Sequence, residues 1–165
     1  MDKIKRKGAV VVVLDTPNGK KRLKTHNIVT TAGDIFYAQM GAGEVVTNNF
    51  AQLELGSSAV PDPQKNSNTS SITTIGSTEK ALSVGYPKTD CDDADNGEGG
   101  VNIVTYKYVY AKADFQAVSV TEGIIKVAAA GAGQPVLCHF EFNDPFPKTP
   151  NDTLTVFANH ECEGV

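Results

Sequence analysis

The acidic run Asp90-Cys91-Asp92-Asp93-Ala94-Asp95-Asn96-Gly97-Glu98 is the best candidate for a metal site in this chain. Calcium takes about six to eight oxygen ligands, and this loop offers many. Its spacing departs from the EF-hand pattern, which needs acidic or Asn residues at the first, third and fifth positions together with a Gly at the sixth. The competing reading is a solvated loop whose Asp, Asn and Gly serve turns. Cys138-His139 and His160-Glu161-Cys162 invite zinc. Within a strand, His160 and Cys162 point to one face, whereas Cys138 and His139 point to opposite faces. At most three of these ligands converge, and the spacing matches no structural zinc pattern. The same divergence argues against a Cys-His nucleophile, which also lacks an orienting third group.

Gly41-Ala42-Gly43 and Gly131-Ala132-Gly133 lack the Gly-Lys-Ser/Thr ending of a phosphate cradle, and turn chemistry explains both. No carboxylate pair, Ser-His-Asp set or cofactor fingerprint stands out. The expectation is a non-enzymatic protein with no catalytic, cofactor-binding or metal-ligating residues. A calcium-binding or small-ligand module in the cytoplasm is the distant alternative.

Two groups of basic residues carry a binding hypothesis. Lys3, Lys5, Arg6 and Lys7 form an N-terminal arm over residues 1–7, and Lys20, Lys21 and Arg22 begin the second strand of the hairpin that follows. These seven are the candidate partner-binding residues, docking electrostatically on an acidic surface. A frayed, solvated terminus is the plainer reading of the arm.

These residues must be held by a β-rich scaffold. Short apolar runs alternate with polar turns throughout, the pattern of an all-β sandwich or barrel. Gly8 to Leu14 is a valine-rich run without polar alternation, predicting a strand covered on both faces. Asp15-Thr16-Pro17-Asn18-Gly19 supplies a turn, and Lys20 to His26 returns as a charged edge strand. Thr31-Ala32-Gly33-Asp34 has the form of a capping box opening one short helix, with Phe36 and Met40 facing the sheet. Further strands are expected at Phe50 to Gly56, Ile72 to Ile75, Lys80 to Tyr86, Val101 to Lys112, Phe115 to Ala128, Pro135 to Asn143 and Thr153 to Cys162. In them Tyr106, Tyr108 and Tyr110 share one face, and so do Val118 and Val120. Ser57 to Asn68 reads as an exposed polar loop. The fold expected is all-β, a mainly antiparallel sandwich of about eight strands with one short helix.

The 165 residues suit a single domain, 1–165, and the net charge of −4 is spread along the chain. That gives no whole-domain attraction to nucleic acid or to a membrane. The early apolar run Ala9 to Leu14 is too short for a signal peptide, and no stretch approaches the roughly 20 apolar residues that cross a bilayer. Cys91, Cys138 and Cys162 are an odd set without a disulfide framework. They read as free thiols in a reducing compartment, with a Cys138–Cys162 bridge between neighbouring strands as the alternative.

Three groups of segments taken together resemble a loosely defined family of small virion proteins of tailed bacteriophages. The first is Asp2-Lys3-Ile4-Lys5 through the valine strand and the Asn-Gly turn to Thr25-His26-Asn27-Ile28-Val29-Thr30-Thr31-Ala32-Gly33. The second is Leu55-Gly56-Ser57-Ser58-Ala59-Val60-Pro61. The third comprises Val104-Thr105-Tyr106, Ser119-Val120-Thr121-Glu122-Gly123-Ile124, Leu137-Cys138-His139-Phe140-Glu141-Phe142 and Lys148-Thr149-Pro150-Asn151-Asp152-Thr153-Leu154-Thr155-Val156. The acidic loop before Val101 looks like an insertion relative to that family. The resemblance implies a structural protein of the virion, assembled in the host cytoplasm. It would be a capsid decoration or cement protein whose partners are the major capsid protein and further copies of itself, as a homotrimer on a threefold axis. A tail, baseplate or fibre component is the alternative that the same resemblance allows.

Overall fold

The computed structural model describes residues 5–163, and the side chains of residues 8–162. The chain runs β1 (Lys5–Thr16), β2 (Gly19–Val29), α1 (Thr31–Ala42), β3 (Phe50–Gly56), β4 (Lys88–Thr89), β5 (Ile103–Tyr110), β6 (Ala117–Val127), β7 (Val136–Lys148) and β8 (Thr153–Glu163). Every strand pair is antiparallel, in the order β3-β6-β7-β2-β1-β8-β5-β4. The all-β, mainly antiparallel expectation with one helix therefore holds. The strands form one continuous sheet that curls over its own core, in place of two separately bonded layers. The curl brings β5 across to β3: the Tyr108 hydroxyl donates to the Ala51 carbonyl at 3.1 Å, and that of Tyr110 to the Thr78 carbonyl at 2.7 Å.

The valine run behaves as its composition requires. Val10 and Val12 enter the main core beside Tyr106, Tyr108, Phe140 and Val156, while Val11 and Val13 pack with Phe157 on the opposite face. All four valines are buried, which is why the run shows no polar alternation. Burying each stabilises the fold by about 1.5–3 kcal/mol before entropy is counted. β2 is an internal strand rather than an edge, because it lies between β1 and β7. Its ladder to β7 covers only Asn27–Val29, so the charged half keeps one side unpaired.

The two sheet edges are short or covered. Leu53 of β3 exchanges both backbone hydrogen bonds with Lys80, at 2.9 Å each, and Ile75 N donates to Leu55 O. β4, at the far edge, is only two residues long. Both devices deny a long free edge to other chains. They also explain a correction: Ile72–Ile75 and Lys80–Tyr86 are not strands, and contribute only the single bridges Thr74–Gly56 and Lys80–Leu53.

α1 begins one residue earlier than the capping box suggests. Thr30 is the cap, its Oγ1 accepting from Gly33 N at 3.0 Å while donating to the Val136 carbonyl. Gly33 is needed for contact rather than for flexibility, since a Cβ there would lie 2.3 Å from Leu137 O. Gly43, in the left-handed region at φ 70°, ends the helix. Phe36 enters the core, but Met40 is 58 % exposed, against the expectation that both face the sheet. Among the described residues no helix is long and apolar enough to cross a membrane.

Candidate functional site

Among the described residues, four gatherings of ionisable and nucleophilic side chains bear on chemistry. The first is sealed between β6, β7 and the loop after β3. His139 Nε2 lies 3.0 Å from Glu122 Oε1, and His139 Nδ1 lies 2.9 Å from Ser67 Oγ. Glu122 Oε2 also accepts from the amides of Ser58 at 3.0 Å and Thr73 at 3.4 Å. Burial alone would raise the Glu122 carboxyl, but the hydrogen bonds from His139, Ser58 and Thr73 outweigh it and hold it below its usual range. Sequence reasoning missed this Ser-His-Glu chain, whose members lie 17 and 72 residues apart. It has the composition of a nucleophilic relay, yet His139 and Glu122 are wholly buried and Ser67 is 7 % exposed. Such a set can pin a loop, but it offers substrate no approach.

The second place does open to solvent. A cavity of about 360 Å³ is lined by Glu54, Glu79, Lys126, Thr69, Thr74 and the Ala130–Ala132 turn, among others. Lys126 Nζ is held between Glu54 and Glu79, the latter at 2.7 Å, and Glu54 Oε1 accepts from Thr74 Oγ1 at 2.6 Å. Burial depresses the Lys126 ammonium, but the two carboxylates more than compensate and raise it. A lysine held charged in this way is no nucleophile.

The third place joins α1 to the sheet. His160 Nδ1 lies 2.5 Å from the Tyr37 hydroxyl, and Nε2 lies 2.8 Å from Asn27 Nδ2. The Tyr37 hydroxyl also lies 3.1 Å from that of Tyr106. Burial drives both tyrosines well above their ordinary range, so they act as neutral hydrogen-bonding groups.

The fourth is the acidic loop itself, which is an ordered strap over the sheet's outer face. Its carboxylates pair with cations of the same chain: Asp93 with Lys107 at 2.8 Å, Asp95 with Lys20 at 3.4 Å, and Glu98 with Lys24 at 2.6 Å. The hydrogen bond from Lys107 holds the Asp93 carboxyl below its usual range. Arg22 donates to the carbonyls of Asp95 at 3.2 Å and Asn96 at 2.7 Å. At the centre, buried Asn96 and Asn159 exchange carboxamide hydrogen bonds of 2.8 Å in both directions. Among the described residues no group of three or more His, Cys, Asp or Glu is placed to hold a metal ion.

Lys20 and Arg22 face the protein's own acidic strap, and Lys21 pairs with Asp144 at 3.5 Å. Lys3 lies outside the described residues. The backbone of Lys5, Arg6 and Lys7 belongs to β1, paired with Glu163, Cys162 and Glu161, but their side chains lie outside the described residues. Cys91, Cys138 and Cys162 are free thiols. β7 and β8 are separated by β2 and β1, so a Cys138–Cys162 bridge between neighbouring strands has no place. Burial pushes the Cys138 thiol up to about 12.

One surface feature has no counterpart in the sequence reading. α1 is apolar on both sides: Phe36 faces the core while Ile35, Ala38 and Ala42 form an exposed outer stripe. Met40 is exposed on a different side of the helix, about 140° round from Ile35, and Val45 beyond the helix end is 93 % exposed. The signal was available in Ile35, because i, i+3 and i+7 positions of a surface helix are expected to be polar on the face away from the core. No protein-family model, no curated protein and no solved structure matches the chain.

Proposed function

We propose that this protein is a non-enzymatic structural component of a virus particle, a capsid decoration or cement protein that binds the outer shell and bridges neighbouring coat subunits. The phage-like order of its sequence segments supports this reading. The observation that carries the structural side is the exposed apolar stripe Ile35, Ala38 and Ala42 on α1; Met40 and Val45 are exposed near it without being shown to continue it. Contiguous exposed apolar surface is characteristic of contact sites, and a helix anchored by Phe36 and the Thr30 cap presents it without a large ordering cost.

Attachment then comes from a hydrophobic centre with polar contacts around it. Each bridging copy gains avidity from several weak contacts, and a homotrimer on a threefold axis satisfies the symmetry of such a site. Lys20, Lys21, Arg22 and Lys24 have carboxylate partners within the chain, and the N-terminal Lys3, Lys5, Arg6 and Lys7 add peripheral electrostatic contacts to the coat.

Quantitative mass spectrometry of purified particles, with heads separated from tails, tests the proposal. Decoration requires copies in proportion to coat subunits and confined to heads. A low, fixed copy number in the tail fraction rejects it, and so does absence from particles.

A further inference from the structure

The chain contains two Asn-Gly steps, Asn18-Gly19 and Asn96-Gly97, and the fold treats them oppositely. We propose that Asn18 is a site of spontaneous covalent modification, deamidating to aspartate and isoaspartate, and that the fold withholds Asn96 from the same reaction.

The chemistry needs only the chain and water. The backbone nitrogen of the following residue bonds to the Asn side-chain carbonyl carbon, the bond to Nδ2 breaks, and ammonia leaves. Water then opens the five-membered imide at either of its two carbonyls. One opening gives aspartate and the other gives isoaspartate, so each event consumes one water and releases one ammonia. The step requires a carboxamide free to rotate, room for the ring, and a following residue without a Cβ to obstruct attack.

Asn18 meets these requirements. It lies exposed in the two-residue turn Pro17–Asn18 that joins β1 to β2. Its backbone N–H donates to Thr16 Oγ1 at 3.1 Å, but no described residue hydrogen-bonds its carboxamide. The space beside Gly19 is open, with no atom beyond its two chain neighbours within 4 Å of where a Cβ would stand.

Asn96 shares the following glycine but meets neither of the other two requirements. It has no exposure, and both ends of its carboxamide are bonded to Asn159 at 2.8 Å. The Gly97 nitrogen that must attack donates to Asp93 O at 3.4 Å, and Arg22 holds the Asn96 carbonyl. Reaction there requires the strap to lift first.

The product changes the hairpin in two ways. A new carboxylate appears beside Lys20 and Lys21, competing with Asp95 and Asp144 for their ammonium groups. Isoaspartate also inserts a methylene into the main chain, which disturbs the terminal Thr16–Gly19 pair first. Val10 to Val13 stay in place, since each is paired to both β2 and β8.

The test follows the full chain in mildly alkaline buffer, folded and in denaturant, by peptide mapping with mass spectrometry. In the folded protein the acid form accumulates at Asn18, and Asn96 converts at least about tenfold more slowly, because it reacts only through local opening. In denaturant the two rates converge. An Asn18→Gln chain, checked for folding by circular dichroism, loses the folded-state signal. Equal conversion of both sites in the folded chain overturns the proposal. An Asn18 that remains an amide in the folded chain also overturns it, whatever happens in denaturant.

Discussion

Nε2 of His139 faces Oε1 of Glu122 at 3.0 Å, and neither side chain has any exposure. Around this pair the loop after β3 is fastened at three points, Ser58, Ser67 and Thr73. Both carboxylate oxygens accept hydrogen bonds, whereas Glu122→Gln keeps one acceptor and turns its NH2 either toward the Ser58 and Thr73 amides or toward His139, which must then change tautomer. The expected loss is about 3 kcal/mol at neutral pH. The folded carboxyl titrates below its usual range, so its contribution is fully present above about pH 4.3. It is lost as pH falls through the lowered folded value. Denaturant titrations from neutral to acid pH should show a shallower acid decline for Glu122→Gln than for the parent. Parallel declines would show that this carboxylate does not drive acid unfolding.

Gly8 exists to make room for Asn27. A Cβ at Gly8 would fall 1.1 Å from Asn27 Oδ1, so Gly8→Ala must expel the carboxamide that reaches His160. Overpacking and the lost hydrogen bond together should cost about 2–4 kcal/mol. Asn27→Ala removes the obstacle, so the double variant should be clearly more stable than the sum of the single losses predicts. Chemical denaturation of the four proteins measures this, and simple additivity would contradict the steric account.

The strap over the outer face combines an inner neutral lock with outer ionic contacts, and the two should respond differently to salt. Asn96→Ala removes a reciprocal buried pair and leaves Asn159 partly unsatisfied, an expected cost of about 2 kcal/mol that persists at high ionic strength. Lys20→Ala, where Lys20 and Asp95 are about half exposed, should change stability by no more than about 0.5 kcal/mol and less still in salt. Thermal melts at low and high salt separate the two. A loss for Asn96→Ala that disappears in salt would mean that the ionic contacts hold the strap.

Much of this scaffold was legible because composition and burial agree locally. The unbroken valines from Val10 to Val13 announced a strand covered on both faces, and Tyr106, Tyr108 and Tyr110 announced a core face by their spacing of two. Local pattern fails where distant partners decide the outcome. Val118 and Val120 should share a face, yet one is 94 % exposed and the other wholly buried, because the β6–β7 register shifts between Ala117 and Val120. His139 is polar yet wholly buried, because Ser67 and Glu122 meet it from elsewhere in the chain. The acidic loop reads as a solvated turn or a cation site until Lys107, Arg22 and Asn159 are seen to meet it. Nothing near residue 95 in the sequence shows where those groups lie.

Lys148 is a buried cation compensated by backbone rather than by a contacting carboxylate. Its ammonium lies 3.0 Å from the Phe115 carbonyl, 3.1 Å from that of Lys112 and 3.4 Å from that of Thr149, and 5.0 Å from the Phe115 ring centre. Three donors thus meet three acceptors, tying the β5–β6 loop to the end of β7. Lys148→Met keeps the stem's packing but strips those carbonyls of their donor, and about 2 kcal/mol should be lost near neutral pH. The pH dependence carries the sharper signature. Burial lowers the folded pKa of Lys148, against the opposing pull of Asp152 and Asp114. Between that lowered value and the ordinary lysine value near 10.4, the unfolded chain binds more protons, so this group makes stability rise with pH. Tyr37, Tyr106, Tyr108 and Tyr110 act in the opposite sense above about pH 10, because burial raises their folded pKa values and the unfolded chain loses those protons first. The quantity to measure is therefore the stability difference between parent and Lys148→Met across the alkaline range, in which the tyrosine effect cancels. That difference should widen in favour of the parent as pH rises through the window, whereas a constant difference would mean that Lys148 binds its proton equally well folded and unfolded.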